Sequence, residues 1–157
     1  MPSTGRVDSI NVSRGGVPKT SVLEAFVNER GLSGDKHAQL FHGGRDRAVV
    51  LFSLDVIELL RLEGHPIRVG SVGENLTVSG LDWRDVVPGV ELQVGEARLA
   101  ITKYTTPCST IRDSFLEGCF TRISQELHPG WSRVSARVTA EGLVRPNDSV
   151  EIVGRSG

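Results

Sequence analysis

The sequence has few cysteines, few lysines, few aromatic residues and no long apolar run. The two cysteines, Cys108 and Cys119, make no disulfide framework in a chain of 157 residues, and they read as reduced thiols. No apolar stretch approaches the ~20 residues that cross a bilayer as a helix. The opening MPSTGRVDSINVSRGG has no hydrophobic centre of a signal peptide. The expectation is therefore a cytoplasmic protein without a membrane partner. Excess charge of one sign is also missing. A formal net charge of −1 argues against a nucleic acid as partner. The basic residues are fifteen Arg against three Lys, a bias that genome composition alone produces. Arg is nonetheless suited to fixed oxyanion recognition, so its local placement matters.

What is present is a single domain rich in turns, with 18 glycines. In VELQVGEARLAI, Val90, Leu92 and Val94 alternate with polar residues. Ala97, Leu99 and Ile101 do the same beyond Gly95-Glu96, which predicts a hairpin with a two-residue turn. Further strands are expected in RVDSINV, in RAVVLF (47–52), and in ENLTVSG, SRVSARVT and SVEIV. SLDVIELLRLEG predicts a helix capped by Ser53, carrying Leu54, Ile57 and Leu60 on one stripe and ending at Gly64. A second helix is expected through FTRISQELHPG and a shorter one in TIRDSFLEG, just after Cys108. The fold class that follows is α+β and predominantly β: a strand-rich barrel with two or three short helices.

Three stretches can carry chemistry. Cys108, in KYTTPCSTIRD, stands where a helix starting at Ser109 or Thr110 would favour a thiolate. Hydroxyls of Thr105, Thr106, Ser109 and Thr110 surround it, and Lys103 and Arg112 add positive charge. A buried structural thiol is the commoner fate of a free cysteine, and Cys119, between apolar residues, reads as core. The second stretch, Gly31 to Phe52, sets Asp35, His37 and His42 among glycine turns with Lys36, Arg45 and Arg47, a pattern suited to phosphates and other oxyanions. Read without a ligand, it is a polar loop. His37, His42, Cys108 and Cys119 lack the spacing of a zinc site, and a hydrolase pairing Cys108 with His42 has no local motif. In the third stretch, SVGENLTVSG, Asn75 can fix a loop through its amide or reach a polar ligand.

Taken in order, GVPKTSVLEA, GLSGDKH with HGGRDRAV, GENLTVSG, PGVELQVGEARLAIT and TTPCS resemble the MOSC domain family, of the small stand-alone bacterial type. The ending HPGWSRVSARVTAEGLVRPNDSVEIV fits too, so the likeness runs from roughly residue 7 to 153. The resemblance implies a β-barrel that binds a pterin-based molybdenum cofactor, with Cys108 at the metal or carrying sulfur. Thiolates suit both tasks. It also implies cofactor-binding roles for Lys19, Thr20, Lys36 and Asn75, to which Arg45 and Arg47 are added from charge and proximity. Two departures stand out. Thr105 occupies a place where relatives of this type often carry Arg, with Lys103 nearby to compensate. Asn147-Asp148 replaces a usual Gly-Asp turn, which Asn tolerates in a left-handed conformation.

Two activities and one bland alternative follow from the likeness. In the first, the chain is an oxidoreductase reducing N-hydroxylated small molecules, with Cys108 as molybdenum ligand. Having no iron–sulfur cysteine set and no dinucleotide fingerprint, it needs a separate electron-donor redox protein. In the second, Cys108 holds a persulfide received from a cysteine desulfurase, whose pyridoxal phosphate belongs to that partner. The third is a barrel that binds an oxyanionic metabolite without turnover.

Overall fold

The hairpin forms as its alternation requires. The structure, a computed structural model, describes residues 4–35 and 45–155. In it β7 (Val90–Val94) turns at Gly95, φ 54, into β8 (Ala97–Tyr104), with Val94 opposite Ala97. Val90, Leu92, Val94, Ala97, Leu99 and Ile101 are all buried. The remaining strands are β1 (Thr4–Val12), β2 (Thr20–Val22), β3 (Ala25–Asn28), β4 (Gly31–Leu32), β5 (Val49–Ser53), β6 (Leu76–Ser79), β9 (Val134–Ala140), β10 (Gly142–Val144) and β11 (Ser149–Arg155).

Seven of them close a barrel in the order β1-β11-β7-β8-β9-β5-β6, with β6 returning to β1. An odd ring cannot close with every neighbour antiparallel. The parallel β5–β6 pair resolves the parity. Parallel neighbours need a crossover, supplied here by α1 (Leu54–Leu62). The Ser53 hydroxyl caps α1 by accepting from the Val56 N–H at 3.1 Å, and Gly64, φ 100, follows its end. Ile57 and Leu60 of the expected stripe are buried, and Leu54 is half-buried. Register shifts in β1, in β8–β9 and in β11–β7 bend the strands around the small core. Strands β10, β3 and β4 form a separate small sheet.

The strand expected at 47–52 starts later, because Arg45–Arg47 is a 3-10 turn. The segment after Cys108 is also 3-10, Ser109–Ser114 and then Leu116–Gly118. It is split at Phe115, whose backbone is extended (φ −128, ψ 146) and whose ring is buried. The helix expected across 120–130 shrinks to a 3-10 turn, Phe120–Ile123. Ser124 is extended (φ −79, ψ 128), and Leu127 is 61% exposed, so no apolar face continues. Asn147 does adopt the left-handed conformation, φ 73. Its N–H donates to the Val7 carbonyl at 2.7 Å and ties that turn to β1.

Gly70 fixes the approach of the segment before β2. Its carbonyl accepts from the Lys19 N–H at 2.9 Å, its φ is +81, and a Cβ there would collide with the Lys19 carbonyl oxygen. Gly16 has a similar φ of +72 with nothing within 4 Å. In urea unfolding, Gly16→Ala is expected to cost about 1–2 kcal/mol, the left-handed backbone term alone. Gly70→Ala should cost clearly more. Equal losses would mean that the Lys19 segment yields freely.

Candidate functional site

Cys108 lies between β8 and the Ser109–Ser114 turn, and it is exposed. Its Sγ is 2.9 Å from the Thr110 hydroxyl. That hydroxyl is the main reason the thiol titrates below its usual range. Partial burial opposes it, while the Thr110 backbone N–H and the charge of Arg133 assist. The expected helix dipole is not needed: the turn is a six-residue 3-10 segment, with Cys108 extended ahead of it (φ −142, ψ 173). Arg133 is the cation acting on the sulfur, in place of Lys103 and Arg112, both of which are exposed. Thr105 is committed elsewhere. Its hydroxyl is 2.7 Å from the Ser135 hydroxyl, and its N–H donates to the Arg133 carbonyl at 3.0 Å.

Behind the cysteine lies a buried polar layer. Arg133 donates from Nη1 to the Val72 carbonyl at 2.8 Å and from Nη2 to the Thr106 carbonyl at 3.4 Å; among the described residues its Nε has no partner. Burial lowers its pKa to about 10, while the Glu74 carboxyl and Cys108 work the other way, so it stays charged at neutral pH. Glu74 is fully buried. Its Oε2 accepts from the Gly70 N–H at 3.1 Å and the Thr77 hydroxyl at 3.0 Å, but among the described residues Oε1 is unpartnered. Burial raises its pKa, against these hydrogen bonds and the Arg133 charge.

Gly70 links this layer to a second cluster, because its N–H reaches Glu74 and its carbonyl accepts from Lys19. Lys19 Nζ is 2.7 Å from Asp35 Oδ1, an ion pair whose side chains are 9% and 0% exposed. Asp35 also accepts from the Ser13 N–H at 2.9 Å and from Asn75 Nδ2 at 3.0 Å. Asn75 spends its second N–H on the Asn11 carbonyl at 3.3 Å. Both its donors face inward, so it positions Asp35 and through it Lys19.

The other expected site residues are dispersed. Thr20 is exposed at the head of β2, with its hydroxyl 3.4 Å from the Val12 carbonyl. Arg45 is engaged with Glu29 at 3.3 Å, and Arg47 is half-buried in the same 3-10 turn. Lys36, His37 and His42 lie outside the described residues. Among the described residues no three His, Cys, Asp or Glu side chains form a metal cluster. Cys119, expected in the core, is exposed, because the chain leaves the Leu116–Gly118 turn there before burying Ile123.

Sequence reasoning missed Arg133 and Glu74. The only available signal was a charged residue at the mouth of an otherwise apolar strand, and exposed strand ends show the same pattern.

A family model described as the MOSC domain matches residues 38–151. The protein YflK of Bacillus subtilis (strain 168) is 26% identical over 156 residues, 98% of this chain and 70% of its own length. A protein of Gibberella moniliformis (strain M3125 / FGSC 7600) described as a reductase is 27% identical over 136 residues. This chain spans only 24% of that protein, and 83% of this chain takes part. The crystal structure of YiiM from Geobacillus stearothermophilus superposes with a TM-score of 0.76 at 25% identity, covering 95% of this chain and 75% of that one.

Two outcomes follow from the site's electrostatics. In a Cys119→Ala background, Thr110→Val should move the midpoint of the pH profile for Cys108 alkylation upward, since the hydroxyl is the chief support of the thiolate. An unmoved midpoint would assign that support elsewhere. Glu74 has a folded pKa above its ordinary 4.5, so its contribution to stability is present below that pH and is lost as pH rises toward the folded value. Glu74→Gln keeps the acceptor for Gly70 and Thr77 but removes the titration. Urea unfolding at mildly acidic and mildly alkaline pH should show the variant gaining on the wild type as pH rises. A constant difference would place the Glu74 carboxyl in ordinary solvation.

Proposed function

The chain belongs to the MOSC domain family, and we propose that it binds a pterin-based molybdenum cofactor through Cys108 and reduces N-hydroxylated small molecules. The observation that carries this reading is an exposed thiol held toward its thiolate form by the Thr110 hydroxyl, with a buried guanidinium behind it. The residues present fit such a group. A thiolate is a soft donor suited to the metal. Buried Arg133, whose Nε has no partner among the described residues, would give the protein a fixed positive charge beside an anionic ligand.

When bound, the cofactor would supply the two-electron chemistry at its metal. The chain's own residues bind and orient. Cys108 is the anchoring sulfur, and Arg133 sustains the negative charge gathered there. Lys19 is fixed by Asp35 through one of its three N–H donors, and the others remain for a phosphate. Thr20 adds an exposed hydroxyl, and Asn75 keeps the Asp35–Lys19 pair in place. Lys36, expected at the site from the family resemblance, would add a further cation. Electrons would come from a separate redox protein.

The same exposed, low-pKa thiol favours a second reading, a sulfur carrier. There the Cys108 thiolate attacks the outer sulfur of a persulfide on a cysteine desulfurase. The new S–S bond forms as the donor's S–S bond breaks, and the donor cysteine leaves as a thiolate.

Metal and pterin analysis of protein purified without oxygen from a host that makes the cofactor separates the two. The reductase reading predicts near-stoichiometric molybdenum and pterin, with molybdenum sharply reduced in Cys108→Ser. Protein free of both, with a persulfide trapped on Cys108, would replace it with the carrier reading.

A further inference from the structure

A cavity of about 230 Å³ adjoins Cys108 through Thr110, the residue whose hydroxyl holds the sulfur at 2.9 Å. It is smaller than the about 300–1,000 Å³ of sites for drug-sized ligands, so its occupant is small. Two opposite charges stand in its wall, Arg68 and Asp113, both exposed. Among the described residues neither the Arg68 guanidinium nor the Asp113 carboxylate has a hydrogen-bond or ion-pair partner, and the two do not pair with each other. Between them sit two buried hydroxyls. Ser71 Oγ accepts from the Arg68 N–H at 3.0 Å and from the Ser114 hydroxyl at 2.8 Å. When the Ser114 proton bonds Ser71 Oγ, the Ser71 proton is free to turn toward a ligand; when it bonds the Ser71 carbonyl at 3.4 Å, Ser114 Oγ accepts the Ser71 proton instead.

This wall selects by charge. A simple anion would satisfy Arg68 and Ser71 but would meet the Asp113 carboxylate. A simple cation would satisfy Asp113 but would meet Arg68. Only a molecule with both charges answers both walls. Pro18 and Pro66 supply rigid apolar surface for its carbon skeleton. We propose that this cavity binds a small zwitterion of the α-amino-acid class, with its carboxylate on Arg68 and the Ser71 hydroxyl and its ammonium group on Asp113. The molecule brought to Cys108 is then amino-acid-like. The inference does not rest on the molybdenum reading, because the cavity is complete without a metal.

The test uses the full chain and saturation-transfer NMR. Each standard L-amino acid is titrated singly, and the tightest binder is then compared with its methyl ester, which lacks the carboxylate, and its N-acetyl derivative, which lacks the ammonium group. At least one amino acid is expected to bind with a dissociation constant of about 1 mM or tighter, and each blocked form should bind about tenfold more weakly. Arg68→Ala should abolish discrimination against the ester only, and Asp113→Ala against the N-acetyl form only. Both residues are exposed, and among the described residues neither side chain has a hydrogen-bond or ion-pair partner, so these variants report binding rather than folding. The proposal is overturned if no amino acid binds, if the blocked forms bind equally well, or if inorganic phosphate binds more tightly than any amino acid.

Discussion

The barrel and the site meet in the hydrogen bonds of one residue, Asn75. Its backbone N–H donates to the Val50 carbonyl at 2.7 Å, and its carbonyl accepts from the Asn11 N–H at 2.7 Å. Its side chain repeats both connections in reverse, accepting from the Val50 N–H at 2.9 Å and donating to the Asn11 carbonyl at 3.3 Å. One amide thus closes the ladder to both neighbours at the place where β6 enters between β5 and β1. Its remaining donor bond holds Asp35, which in turn holds Lys19. The parity constraint of a seven-strand ring and the placement of a cation near the site converge on the same side chain.

The second constraint is the cost of burying charge. An isolated ion inside a protein is expensive, and its hydrogen bonds must recover much of that cost. Arg133 and Glu74 do this in part, each with a buried polar atom that has no partner among the described residues. Glu74 responds by shifting toward its neutral form, whereas Arg133 stays charged with a pKa of about 10. The result is a buried guanidinium whose charge acts on an exposed sulfur, beside a carboxyl that burial pushes toward its neutral form. That asymmetry suits a site meant to hold anionic groups, and a purely structural cysteine would not require it.

Much of the barrel was legible in the sequence because alternation and turn chemistry act locally. The β7–β8 hairpin, the Ser53 cap and the left-handed Asn147 are all decided by residues within a few positions of one another. Helices after Cys108 were over-read for the same reason. Local spacing suggested them, but the demand to bury Phe115 and Ile123 broke the chain into 3-10 turns. Cys108 could be singled out from its polar neighbours and from the ordered motifs around it. Arg133 could not, since it is 25 residues away in sequence and reaches the site only through the β8–β9 pairing. Asn75 was legible as a loop-fixing amide, while its tie to Asp35 depends on a contact across 40 positions.

The central claim is that Cys108 is the sulfur through which the chain holds a metal. X-ray absorption at the molybdenum edge tests this most directly, on wild-type protein and on the molybdenum that Cys108→Ser still retains when made in a host that supplies the cofactor. The account predicts that the wild type shows a sulfur neighbour of the metal that the variant loses. An identical sulfur shell in both proteins would contradict it.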